Sequence, residues 1–107
     1  MPEDNRIAAL KEILSTHPDD AFARYALGLE YCGSGQLDAA LAEFRRLLAA
    51  HPDYTNGYFM AAQTLVRAER PEEARSMLKD GIQCAERTGN RHALSEMQGL
   101  MEELKQG

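Results

Sequence analysis

Residues 17–53 read HPDDAFARYALGLEYCGSGQLDAALAEFRRLLAAHPD, a stretch that opens and closes on the same tripeptide. His17-Pro18-Asp19 returns as His51-Pro52-Asp53, 34 residues on. The same shift lays Leu10 on Phe44, Leu14 on Leu48, Phe44 on Leu78 and Ala40 on Ala74. It also sets Leu37-Asp38-Ala39-Ala40 over Pro71-Glu72-Glu73-Ala74. A period of this length in a chain of helix-forming composition points to stacked helix–turn–helix units.

Punctuation on either side of the stretch places the helices. Ile7, Leu10, Ile13 and Leu14 at helical spacing predict a helix from Asp4 to about Thr16, which Pro18 stops. A second helix is expected from about Asp20 to Cys32, ended by Gly33-Ser34-Gly35, residues that tolerate a left-handed backbone. Leu37 to Ala50 is the third, closed by His51-Pro52, and Tyr54 to Ala68 the fourth. Pro71 suits the first turn of the fifth, where its missing N–H costs nothing and Glu72 and Glu73 complement the helix dipole. That helix should reach about Arg87, break at Thr88-Gly89-Asn90, and be followed by a sixth from Arg91 to about Lys105. The expected fold is therefore all-α: a solenoid of about six antiparallel helices.

Composition agrees. The chain has 107 residues, 44% hydrophobic and 27% charged, which is the profile of a single globular domain. Ala (16) and Leu (13) dominate while Val and Ile together number four, so there is little material for a sheet. The net charge is −5 and the only adjacent basic pair is Arg45-Arg46, which argues against nucleic acid as a partner. Cys32 and Cys84 are too few for a disulfide framework and are expected as reduced, packed thiols, consistent with the cytoplasm. The start, Met-Pro-Glu-Asp-Asn-Arg, lacks the basic and apolar regions of a signal peptide, and no apolar run approaches the ~18 residues of a membrane span.

At this point the residues resemble the tetratricopeptide repeat family, whose pattern is W-x2-L-G-x2-Y, then A-x3-F, then P. Residues 21–54 carry Leu27-Gly28-x2-Tyr31, Ala40-x3-Phe44 and Pro52, with Arg24 in place of the Trp. Residues 55–88 carry Tyr58, Ala61-Ala62, Leu65, Ala74 and Leu78, with Glu86 in place of the Pro. The resemblance implies one domain over residues 1–107, made of a preceding half-repeat helix (4–18), two repeats (21–54 and 55–88) and a terminal helix (91–105). The Met1 start and the polar residues on the flanking helices (Glu3, Asp4, Lys11 and Glu12; Glu96, Glu102, Glu103 and Lys105) favour a chain that stands alone over a piece of a longer scaffold.

The repeat residues have physical jobs whatever the name. Small side chains at Gly28 and Ala62, facing Ala40 and Ala74, let paired helices approach to roughly 8–10 Å. Tyr31 and Leu65, with Phe44 and Leu78, fill the space on either side.

Catalytic groupings are nearly absent. His17 and His51 occupy equivalent turns, which suits a structural role, and His92 stands four residues before Glu96 as an ordinary helix-surface pair. Gly33-Ser34-Gly35 has no preceding strand and no following Lys, so it is a helix–helix turn rather than a phosphate loop. No enzyme activity, cofactor, metal ion, membrane contact or small-molecule substrate is expected.

What remains is a binding surface. The resemblance implies that an extended peptide or partner helix lies in the concave face formed by the first helix of each pair. Helical spacing puts Phe22, Tyr25, Leu29 and Cys32 there in the first repeat, and Asn56, Phe59, Met60, Gln63, Val66 and Arg67 in the second. Asn90, Ala93, Met97 and Leu100 would continue it on the last helix. Two outcomes stay open: a groove that is partly exposed, or a stripe covered by neighbouring helices. One subclass of the family grips acidic C-terminal peptides with Lys, Asn and Arg, but the corresponding places here hold Tyr25, Leu29 and Met60, which cannot do so. The expected function is a non-catalytic protein-interaction module, an adaptor or scaffold with a largely apolar face. The alternative is a structural protein that pairs with a second copy of itself through that face.

Overall fold

Two kinds of turn alternate along the chain, and each is built the same way twice. The structure, a computed structural model, describes residues 2–106, and the side chains of residues 5–105. Glu3 and Asp4, expected to make the first helix polar outside, lie beyond those described side chains. The helices are α1 (Pro2–Thr16), α2 (Ala21–Gly33), α3 (Leu37–Ala50), α4 (Thr55–Arg67), α5 (Pro71–Thr88) and α6 (Arg91–Gln106). Their ends fall within two residues of the sequence expectation, and the described residues contain no strand.

The three-residue turns, 34–36 and 68–70, close helix pairs. Ser34, Gly35 and Gln36 donate their amides to Glu30, Cys32 and Tyr31; Ala68, Glu69 and Arg70 donate theirs to Thr64, Val66 and Leu65. The middle residue is left-handed in both, Gly35 at φ 77° and Glu69 at φ 59°. The four-residue turns, 17–20 and 51–54, join one pair to the next. Arg24 Nη2 donates to Pro18 O (3.0 Å) in the first, and Tyr58 Oη to Pro52 O (2.7 Å) in the second. His51 Nε2 lies 2.9 Å from Asp19 O, and since a carbonyl only accepts, the imidazole carries its proton there and ties successive turns together.

Each helix packs against the next, and the backbones of α2 and α4, and of α4 and α6, also come close, whereas those of α1, α3 and α5 stay apart from one another. Helices that meet lie inside a curve and helices that splay lie outside it. The stack is therefore bent with α2, α4 and α6 on its inner face. It measures 39 × 28 × 19 Å.

Close approach depends on the expected small residues. Ala40, Phe44, Ala62, Leu65, Ala74 and Leu78 are wholly buried, and Leu27 and Tyr31 nearly so. A Cβ on Gly28 would run into the Phe44 ring, and one on Gly81 would sit 2.6 Å from Tyr58 Cβ.

The repeat breaks at the end of α5. Glu86 stands where the earlier units have Pro18 and Pro52, so nothing halts the helix until Gly89, at φ 72°. Only Gly89 and Asn90 then separate α5 from α6, and the Asn90 Oδ1 caps α6 by accepting from the Ala93 amide (3.0 Å). α6 consequently begins 36 residues after α4, not 34. Two residues are about 200° of helical rotation, enough to exchange one face for the other.

Candidate partner-binding face

The inner face is assembled from three helices. Asp20 sets the start of α2 by accepting the Ala23 amide on its Oδ1 (2.9 Å). That places Phe22 in the first turn with 73% of its surface exposed. Tyr25, one turn on, is half-buried, its ring 5.2 Å from that of Tyr54 and 6.2 Å from that of Phe44. Burial raises its phenol above the ordinary value, with smaller contributions from Tyr54, Cys32 and Glu96. Leu29 is half-buried and packs on the first core cluster, as does Met60 of α4; Phe59 packs on the second.

The far ends of α2 and α4 are fastened by polar contacts. Thr64 Oγ1 donates to Met60 O (2.7 Å) and stands 3.1 Å from Cys32 Sγ. Arg67 Nη1 donates to Cys32 O (3.1 Å), a cation at the C-terminal end of a helix where the dipole favours it. Between them a cleft of about 380 Å³ opens, lined by Cys32, Met60, Gln63, Thr64, Val66, Arg67 and, from α6, Leu100. Its walls are mainly apolar, with the Gln63 amide and the Arg67 guanidinium as polar groups.

The residues expected on the face differ in exposure. Phe22, Asn56 and Arg67 are exposed; Tyr25, Leu29, Phe59, Met60 and Gln63 are half-buried and serve packing as well as surface. Three residues depart from expectation. Cys32 is buried and its thiol is engaged by Thr64, so it is floor rather than contact surface. Met97 has no exposed surface at all and fills the niche that Gly81 leaves open. The cause is the rotation of α6: with the offset of 36, Met97 takes the place of the buried Ala61, not that of Gln63. Ala93, likewise expected on the face, is buried for the same reason. Thr64 was not among the expected residues; a lone threonine on the apolar side of a helix carries no signal until Cys32 is seen opposite it.

The three histidines are held in local contacts: His51 with Asp19 O, His17 Nδ1 3.0 Å from Thr16 Oγ1, and His92 Nε2 3.4 Å from Glu96 Oε1. Cys84 is buried, its thiol 3.5 Å from both Pro52 O and Thr55 Oγ1. No helix of the described residues is long and apolar enough to cross a membrane.

A family model for the tetratricopeptide repeat matches residues 31–101. A TPR repeat-containing protein of Pseudomonas aeruginosa is 26% identical over 98 residues, covering 92% of this chain and 93% of that protein. A tetratricopeptide repeat domain protein from Salinibacter ruber, solved by NMR, is 32% identical with a TM-score of 0.77, covering 81% of this chain and 88% of the other. The TPR2B domain of yeast Sti1, solved in a complex with pHsp70, superposes with a TM-score of 0.90 over 98% of this chain and 84% of its own. At 16% identity that likeness is one of fold.

Proposed function

The chain belongs to the tetratricopeptide repeat family, and from that premise we propose that it is a non-catalytic protein-interaction module of the cytoplasm. It holds an extended peptide or a partner helix against α2, α4 and α6, with an apolar side chain of the partner seated between Met60, Val66 and Leu100. The cleft of about 380 Å³ carries this reading, because large apolar groups around an open recess are favourably covered by a partner. Gln63 and Arg67 supply its polar rim. The engagement of all three histidines in turns and surface pairs supports a scaffold without chemistry, and the two free, buried thiols support a reducing compartment. We read residues 21–54 and 55–88 as the two complete repeats, with 4–18 and 91–105 as the flanking helices.

Selection of peptides from a random displayed library, using wild type as bait and Met60→Glu as counter-bait, tests the site. Peptides that bind wild type with an apolar residue at a fixed position and lose about tenfold or more against Met60→Glu support it. Peptides that bind both equally place the contact surface elsewhere. Phe22, the most exposed large apolar side chain described, favours a second reading in which the face meets another copy of the chain. Light scattering over a concentration series separates the two: a dimer in wild type that Phe22→Ser dissociates selects self-association, and a monomer throughout selects the adaptor.

A further inference from the structure

The outer side of the stack carries a groove whose chemistry the architecture does not require. α1 and α3 are its walls, which do not touch, and α2 is its floor. It encloses about 280 Å³ and is lined by Lys11, Arg24, Leu27, Glu43 and Arg46, together with Leu14 and Ser15. Glu43 is buried and divides itself between two arginines, accepting from Arg24 Nη1 on Oε1 (2.7 Å) and from Arg46 Nη1 on Oε2 (3.2 Å). One carboxylate thus holds two guanidinium groups. Lys11 on the opposite wall is exposed and makes no ion pair among the described residues. Three cations against one anion gather in a chain whose net charge is −5.

The repeat provides an internal control. Thirty-four residues on, the same positions around α4 hold Arg45, Tyr58, Ala61, Met77 and Asp80 in place of Lys11, Arg24, Leu27, Glu43 and Arg46. The second groove has one charge of each sign, and Arg45 is drawn off to Glu73 on α5 (3.4 Å). Tyr58 also makes the turn contact that Arg24 makes, so a neutral donor is sufficient for that job. The scaffold can be built without Arg24, Glu43 and Arg46.

We propose that the groove between α1 and α3 binds the carboxylate side chains of an acidic peptide segment of a partner protein. Arg46, two-thirds exposed and pinned by Glu43 through one nitrogen, offers its remaining N–H groups as a pre-oriented donor set. Lys11, exposed on the opposite wall, is a second donor. The volume is at or below the small end for metabolite pockets, which suits single side chains of a peptide. Glu43 in the wall favours a monoanionic carboxylate over a phosphate dianion, which it would repel more strongly. In a chain of net charge −5, attraction for a carboxylate depends on this local cluster of cations. The surface lies on the opposite side of the stack from the cleft, and the proposal stands independently of the inner-face reading.

Fluorescence anisotropy with a labelled peptide of alternating glutamate and alanine, titrated with the full chain, is the test. Saturable binding is expected in wild type, weakened about tenfold or more in Lys11→Gln/Arg46→Gln, which removes both exposed donors. Both side chains are exposed and Arg24 still pairs with Glu43, so the variant should keep the wild-type circular dichroism and lose little in melting temperature. Lys79→Gln, the loss of one positive charge from the exposed surface of α5, should bind as wild type does. Equal binding by wild type and the double variant overturns the proposal, as does loss in Lys79→Gln of the same size. Displacement of the peptide by an equal concentration of inorganic phosphate overturns it too, marking a general anion hole.

Discussion

At the scale of single residues, glycines with different surroundings should respond in opposite ways to the same substitution. Gly28→Ala forces a methyl group against the buried Phe44 ring, which has no room to turn, and should destabilise by about 1–3 kcal/mol in urea denaturation. Gly33, the last residue of α2, has nothing within 4 Å of its would-be Cβ, and Gly33→Ala should be neutral or gain up to about 0.5–1 kcal/mol. Glu69 is the mirror case. It carries a side chain at φ 59° where the preceding turn uses Gly35, a conformation that costs an L-residue about 1–2 kcal/mol, partly offset by the entropy a glycine would lose. Glu69→Gly should therefore raise stability by up to about 1 kcal/mol, read as a higher melting temperature. A fall instead would mean that the Glu69 side chain makes a contribution larger than the strain. Gly28 was legible in the sequence because Ala62 repeats its small size at the equivalent position. Glu69 was not: a glutamate in a turn looks ordinary, and only its place 34 residues after Gly35 marks it.

Among the elements, α6 departs furthest from expectation, and Met97→Ala measures how far. As a fully buried residue against Gly81 and Tyr58 it should lose about 2–4 kcal/mol of stability on truncation; a contact residue of an open face would lose almost none. The helix bounds were readable throughout because prolines, glycines and caps act locally. The face that α6 presents was not, because the 34-residue period was carried past the missing proline, although α6 starts 36 residues after α4. That distance is set by Gly89, whose left-handed backbone ends α5, and by Asn90, whose side chain starts α6. The helices that carry the proposed face, α2 and α4, begin one period of 34 residues apart, as the sequence repeat predicts. Their half-burial was hidden for another reason: the contacts of Tyr25 with Tyr54 and Phe44 come from helices other than its own. The outer groove escaped notice for the same cause, since Arg45-Arg46 reads as a pair along the chain while the structure sends Arg45 to α5 and Arg46 to Glu43.

For the whole molecule, three tyrosines should lower stability at alkaline pH. Burial is the leading cause that raises the phenols of Tyr25, Tyr54 and Tyr58 above the ordinary value of 10.0. Between that value and the raised ones the folded chain keeps protons that the unfolded chain has lost, so stability falls as pH climbs through this window. Below about pH 9 these groups are protonated in both states and contribute no slope. Urea midpoints measured from pH 8 upward, beside the phenolate absorbance, check the sign; a midpoint that rises above pH 10 would contradict it. The pattern of helix contacts has a consequence in time as well as in energy. α4 touches α2, α3, α5 and α6, whereas α1 touches α2 alone. In a row of units coupled only to their neighbours, a unit with one partner can detach while the remainder stays intact, and a unit with four opens only when the row itself does. Amide deuteration followed by mass spectrometry should therefore enter α1 first and reach α4 last, with separable rates. A single rate shared by all six helices would show that the stack opens as one cooperative block.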